Sequence, residues 1–161
     1  WSSDVCSSDL YMQYNEEHRD LFTVGIGYIL AHCISSDYVM GAGIAKTFTQ
    51  YGVKATLNEQ YPKHEWNGKG YILSCTMEQN GYPRTVINLV TKQNVYDKPT
   101  YETLEQSLIE LRDYMTSRTL QKLAIPKIGC GLDGLDWLKV QQIIKNVFNG
   151  TMIDVLVCDW P

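Results

Sequence analysis

Short apolar runs alternate with stretches of helical period from residue 27 to residue 159, and this alternation points to a layered α/β domain. GYILAHCI (27–34), GYILSCTM (70–77), TVINLV (85–90), LAIPKI (123–128) and MIDVLVCD (152–159) have strand length and few charges. The second and third runs join across EQNGYP, which carries Asn-Gly turn chemistry. Pro126 implies that its strand lies at an edge or ends there. Between the runs, GAGIAKTFTQYG (41–52) opens on glycines and reads as a helix, with a second helical stretch near 53–60. From Pro99 onward, Tyr101, Leu104, Leu108, Leu111 and Met115 recur at helical spacing and form one buried stripe. Trp137, Val140, Ile144, Val147 and Phe148 mark a further helix, closed by Asn149-Gly150. With no internal repeat, low-complexity tract or linker, one domain is expected.

Composition narrows the function classes. A chain of 161 residues, 44% of them hydrophobic, is long enough to bury a substantial core. A formal charge of −4 argues against nucleic-acid binding by bulk electrostatics. Five cysteines are scattered without a C-x-x-C pair, and three histidines lack metal-ligand spacing, so neither a disulfide framework nor a zinc site is expected. Reduced cysteines suggest a cytoplasmic setting. No apolar run approaches the ~18 residues of a membrane span, and no signal-peptide layout is present. The first ten residues, WSSDVCSSDL, resemble a translated short-read sequencing adapter; residues 1–10, with Cys6, are read as a non-native leader before a domain at 11–161.

Two strand–glycine–helix junctions stand out. IPKIGCGLDGLDW (125–137) spends Gly129, Gly131 and Gly134 within six positions, and MGAGIA (40–45) repeats the logic with Gly41 and Gly43. Glycines let backbone N–H groups converge on an anion beside a helix N-terminus, so a phosphate or diphosphate is the natural guest. Ala42 and Ile44 in the first loop, and Ile128, Cys130 and Leu132 in the second, share in that binding surface. Lys127 precedes the second loop and is either a phosphate contact or a surface charge. The dinucleotide fingerprint fails because its third glycine is missing, and no P-loop signature occurs. Cys130 has no histidine near it in sequence and reads as a small filler, while His32 reads as structural.

DLF (20–22), LAHCISSDYVMGAGIAKTF (30–48), LVTKQNVYDKPTYETLEQSL (89–108) and IPKIGCGLDGLDW together resemble the macro domain. The similarity is strongest to its terminal ADP-ribose protein glycohydrolase branch and runs from about residue 11 to 160. The resemblance implies a three-layer α/β/α fold around a mixed sheet, with a cleft for ADP-ribose. Its diphosphate would lie between the two glycine loops and its distal ribose beside a nucleophilic lysine and an assisting aspartate. These fall at Lys92 in VTK and Asp133 in GCGLD. Lys92 read alone is a surface charge, and Asp133 alone a helix cap; Asp136, beside Trp137, is the better cap.

Asp20 and Leu21 match the family's adenine segment, where Arg19 replaces a glycine and bears on the width of that loop. Trp160 falls near the adenine end, for stacking or for packing. Ser35 is placed near the distal ribose, with Tyr96, Lys98 and Tyr101 around the rim. The resemblance implies hydrolysis of mono-ADP-ribose from acidic side chains by a monomer without cofactor or metal. Partners would be ADP-ribose or an ADP-ribosylated macromolecule, with nucleic acid only as a modified substrate. The rivals are a non-catalytic reader and a hydrolase of ADP-ribose 1″-phosphate or ADP-ribosylated bases; GLDGLDW is also similar to macro domains of DNA-directed antitoxins.

Overall fold

The computed structural model describes residues 12–161, so the leader assigned to residues 1–10, with Cys6, lies outside the described residues. Six strands form one sheet: Gln13–His18 (β1), Ile29–Ser35 (β2), Tyr71–Gln79 (β3), Tyr82–Lys92 (β4), Lys122–Ile125 (β5) and Asp154–Asp159 (β6). Their spatial order is β1-β6-β5-β2-β4-β3. Every neighbouring pair is parallel except β3 with β4, an antiparallel hairpin turning at Asn80-Gly81. The four helices are Gly43–Gln50 (α1), Val53–Gln60 (α2), Tyr101–Ser117 (α3) and Trp137–Phe148 (α4).

Strand alternation produces the layers. On β2, Ile29 and Ala31 face one side, where they join the α3 stripe of Leu104, Leu108, Leu111 and Met115 and the α4 stripe of Val140, Ile144 and Phe148. Leu30 and Ile34 face the other, against Phe48 of α1 and Val53 and Leu57 of α2. Likewise Leu123 and Ile125 of β5 oppose Ala124, and Val155 and Val157 of β6 oppose Leu156 and Cys158. A sheet apolar on both faces must be covered on both, which gives the α/β/α sandwich.

Several boundaries differ from the sequence expectation. The strand expected over 123–128 ends at Ile125, before Pro126, and lies inside the sheet between β6 and β2; the proline marks an end and not an edge. The first glycine-led helix is confined to Gly43–Gln50, because Gly52 takes a left-handed φ of +86° and starts the next helix. The last strand begins at Asp154 instead of residue 152. β1 was invisible in the sequence: QYNEEH is almost wholly exposed and holds its place by pairing with β6.

Gly70 has a steric role at the start of β3. Its N–H donates to Gln106 Oε1 at 2.8 Å, and a Cβ there would lie 1.9 Å from the Thr103 carbonyl oxygen on α3. Backbone cannot yield as a flexible side-chain tip does. Gly70→Ala is therefore expected to reduce unfolding free energy by about 1–3 kcal/mol, read from urea denaturation.

Candidate functional site

The parallel strands β2, β4, β5 and β6 all run in one direction, so Ser35, Lys92, Ile125 and Asp159 end at the same side of the sheet. There lies a cleft of about 520 Å³, a size suited to a small ligand. Both glycine loops line it, residues 40–45 on one side and residues 126–133 on the other. Carboxyl ends of parallel strands are where open α/β sheets bind ligands. The two junctions, expected to flank one ligand, thus face one space.

Local chemistry shapes the second loop. Gly129 has φ +73°, a left-handed conformation that strains other L residues, and a Cβ on it would press on the Leu135 side chain at 2.9 Å. The loop closes on itself: Leu135 N–H donates to Gly129 O at 2.8 Å, and Gly134 N–H to Gly131 O at 3.1 Å. Asp136 caps α4 by accepting from Leu138 N–H at 3.1 Å, as expected, and the helix begins at Trp137. Asp133 is therefore free of the capping task.

It faces Lys92. Lys92 Nζ donates to Asp133 Oδ1 at 2.7 Å, with the two side chains 12% and 18% exposed. The same Nζ donates to Val95 O at 3.0 Å, which fixes the ammonium from a second direction. Lys98 Nζ donates to Leu132 O, joining the segment after β4 to the glycine loop over this pair. Residues 41 positions apart in sequence are brought into direct contact by the strand order.

Sequence reasoning missed Asp37, in the turn after β2. Its Oδ1 accepts from Ser35 Oγ at 2.6 Å and Val39 N–H at 3.1 Å; its Oδ2 accepts from Val95 N–H at 2.9 Å. Burial works to raise the Asp37 pKa, but these bonds and the charge of Lys92 outweigh it and hold the carboxyl below the usual range. The turn is strained, with left-handed φ values of +54° at Tyr38 and +47° at Met40, a geometry that costs of order 1 kcal/mol or more per non-glycine residue. Only Asp-x-x spacing hinted at a turn holder; the partner at Val95 was beyond reach of a local pattern.

The other predicted positions divide by exposure. Ser35, Gly41, Ala42, Gly43, Ile44, Lys127, Ile128, Gly129, Cys130, Gly131, Leu132 and Trp160 line the cleft. Asp20 and Leu21 are not among its lining residues: Leu21 packs in the core, and the Asp20 carboxylate accepts from Phe22 N–H at 3.0 Å to start a short 3-10 turn, Leu21–Thr23. Arg19 needs no glycine-like backbone; its guanidinium donates to Thr23 O at 2.9 Å and Thr23 Oγ1 at 3.1 Å and clamps that turn. Arg84, buried without a carboxylate partner, donates to the Val24, Gly25 and Tyr28 carbonyls and anchors the segment that follows.

Lys127 pairs with Asp159 at 3.2 Å, an exposed ion pair of small energetic weight. Trp160 is 55% exposed at the cleft's end, its ring 5.3 Å from that of His18. Lys98 lines the cleft; Tyr96 stands 78% exposed beyond it, and Tyr101 Oη accepts from Asp136 N–H. Burial pushes the Cys130 thiol up to about 11, which makes it a poor nucleophile. Among the described residues, no group of three or more His, Cys, Asp or Glu side chains could hold a metal, and no helix is long and apolar enough to cross a membrane.

A mixed sheet between two helical layers, with paired glycine loops lining a cleft at the strand ends, defines a three-layer α/β/α module. The chain belongs to the macro domain family, whose model matches residues 31–144. It is 38% identical over 140 residues to human "ADP-ribose glycohydrolase OARD1", covering 86% of each chain. It is 28% identical over 120 residues to "DNA ADP-ribosyl glycohydrolase" of Mycobacterium tuberculosis, covering 74% of this chain and 34% of that protein. Among solved structures, the macrodomain of Mycobacterium tuberculosis DarG superimposes with a TM-score of 0.77 at 23% identity, over 93% of this chain and 98% of that one.

His32 is structural. It is fully buried on β2, stacked on Phe48 with ring centroids 4.0 Å apart. Asn88 Nδ2 donates to Leu73 O, which leaves Asn88 Oδ1 to accept from His32 Nε2–H at 2.7 Å; Nδ1 has no partner. Burial, opposed by the Asn88 hydrogen bond, lowers the His32 pKa to about 4, below the ~6.5 of an unfolded chain. A depressed folded value means that the unfolded state binds the proton first, so this contribution is complete above pH 6.5 and is lost as pH falls from 6.5 to 4. Wild type should lose roughly 2–3 kcal/mol more than His32→Leu between pH 7 and 4.5, measured by urea denaturation.

Proposed function

We propose that this macro domain hydrolyses mono-ADP-ribose from acidic protein side chains, with Lys92 as nucleophile and Asp133 as proton acceptor and donor. The observation that carries the reading is the 2.7 Å contact between these groups at the mouth of a cleft walled by both glycine loops. The glycohydrolase names of the relatives support it. The chain is an ADP-ribosyl hydrolase; its ligand enters with the diphosphate between residues 41–44 and 128–132, where backbone N–H groups and a helix N-terminus favour an anion. The distal ribose then points at Lys92, Ser35 flanks it, and adenine lies towards Asp20, Leu21 and Trp160.

The chemistry follows from the pair. Lys92 is a nucleophile only as the free amine, and Asp133 is placed to accept its proton directly. The amine attacks the anomeric carbon of the distal ribose, the bond to the ester oxygen breaks, and the side-chain carboxylate leaves. Ring opening converts the adduct to an imine, water adds to it, and Asp133 returns a proton as the lysine departs. A carboxylate is a good leaving group, which suits an ester-linked substrate. The four free cysteines among the described residues support a cytoplasmic setting, and a monomer suffices for this site because every group named belongs to one chain.

DNA-linked ADP-ribose is the second reading, favoured by the 28% match to a DNA ADP-ribosyl glycohydrolase. Incubating the protein with Glu-linked ADP-ribosylated protein, ADP-ribosylated DNA and ADP-ribose 1″-phosphate, and quantifying free ADP-ribose, separates the substrates. Release from the Glu-linked protein is expected to be fastest, and binding without release would identify a reader. Lys92→Ala should abolish release, and Asp133→Asn should slow it by ~10²-fold or more. Reductive trapping should leave an adduct on the wild type and none on Lys92→Ala. Full turnover by Asp133→Asn would remove the aspartate from the mechanism.

A further inference from the structure

We infer that Asp37 is a positioning residue for Lys92, acting through the Val95 peptide; the inference rests on the reading of Lys92 given above. Val95 is bonded at both of its backbone polar groups. Its N–H donates to Asp37 Oδ2 at 2.9 Å, and its C=O accepts from Lys92 Nζ at 3.0 Å. The chain of contacts therefore runs from the Asp37 carboxylate through one residue to the ammonium, and on to Asp133 Oδ1 at 2.7 Å.

The surrounding bonds show what the Asp37 carboxylate adds to this geometry. Lys92 is the last residue of β4, and the ladder bond of Ser36 N–H to Lys92 O at 2.9 Å fixes its backbone. Ser36 Oγ donates to Gln93 O at 2.8 Å and extends that hold by one residue. Val95 lies beyond both bonds, and Asp37 Oδ2 is what ties its N–H to the strand-end turn. Val95 sits inside a turn closed by Asp97 N–H to Asn94 O at 3.0 Å and Asn94 N–H to Asp97 Oδ2 at 2.9 Å. Without the Asp37 tie that turn would shift as a unit and carry the Val95 carbonyl away from Lys92 Nζ, which would lose one of its two acceptors. A flexible lysine that samples many rotamers is less often aimed at the reacting carbon, so the cost should fall on turnover and not on ligand affinity.

The two oxygens of Asp37 divide the work, which makes a selective test possible. Oδ1 holds the turn through Ser35 Oγ and Val39 N–H, whereas Oδ2 alone reaches Val95. Asp37→Asn retains one oxygen for the turn and turns an amide nitrogen, a donor, against the Val95 N–H. The turn is kept and the link is broken.

The experiment measures release of ADP-ribose from Glu-linked ADP-ribosylated protein and, separately, the Kd for free ADP-ribose, for wild type, Asp37→Asn and Lys92→Ala. Asp37→Asn is expected to lower kcat about tenfold, leave the Kd within twofold, and speed hydrogen exchange of the Val95 amide about tenfold. If Lys92→Ala is inactive while Asp37→Asn turns over at the wild-type rate, the link has no role. Parallel losses of kcat and affinity would also overturn it, because Asp37 would then support the binding loop as a whole. If Lys92→Ala keeps its activity, the nucleophile assignment fails first and the positioning role goes with it. Should Asp37→Asn not fold, Val95→Pro deletes the donor with Asp37 intact and is held to the same split between kcat and Kd.

Discussion

Parallel pairing of β2 with its two neighbours is the constraint on which the site depends. The β2–β4 ladder sets Ser35 against Lys92, with a register shift between Ile34 and Ser35. The β2–β5 and β5–β6 ladders bring the glycine loop after β5 to the same end. A one-residue slip in any of these would send its inward side chains to the opposite face, so the two apolar layers police the register. Core packing and site geometry are therefore one problem: Leu30 and Ile34 against Phe48, and Ala31 against the α3 and α4 stripes, hold Lys92 level with Asp133.

Polar groups do the fine placement. The His32–Asn88 bond crosses between β2 and β4 inside the sheet, and Arg84 gathers three carbonyls of the segment that leads into β2. Each is buried and held by geometrically specific bonds, although His32 Nδ1 and Arg84 Nε are left without a partner. The cleft has the opposite character. Lys127 with Asp159 and the rim around Tyr96 and Trp160 stay exposed, and they shape access more than stability.

Much of this was legible from residue order, for reasons that particular elements make plain. The runs that became β2, β4 and β6 are apolar along their length because both sheet faces are covered, and the Tyr101–Met115 spacing matches one buried helical stripe. Asp136 could be separated from Asp133 by its place beside Trp137, since capping is a local rule. β1 could not be seen, because its residues are mostly polar and exposed and its place comes chiefly from backbone pairing with β6. The contact of Lys92 with Asp133 needed the family resemblance, and Asp37 with Val95, 58 positions apart, had no sequence signal at all.

The left-handed turn at Tyr38 and Met40 has a thermodynamic consequence. Its conformation is already fixed by Asp37 and by the Tyr38 hydroxyl, which donates to Tyr61 O at 3.0 Å. The ordering entropy of that wall is thus spent during folding, before any guest arrives. Association at such a wall begins with little left to freeze, so its heat reports mainly on new contacts and displaced water.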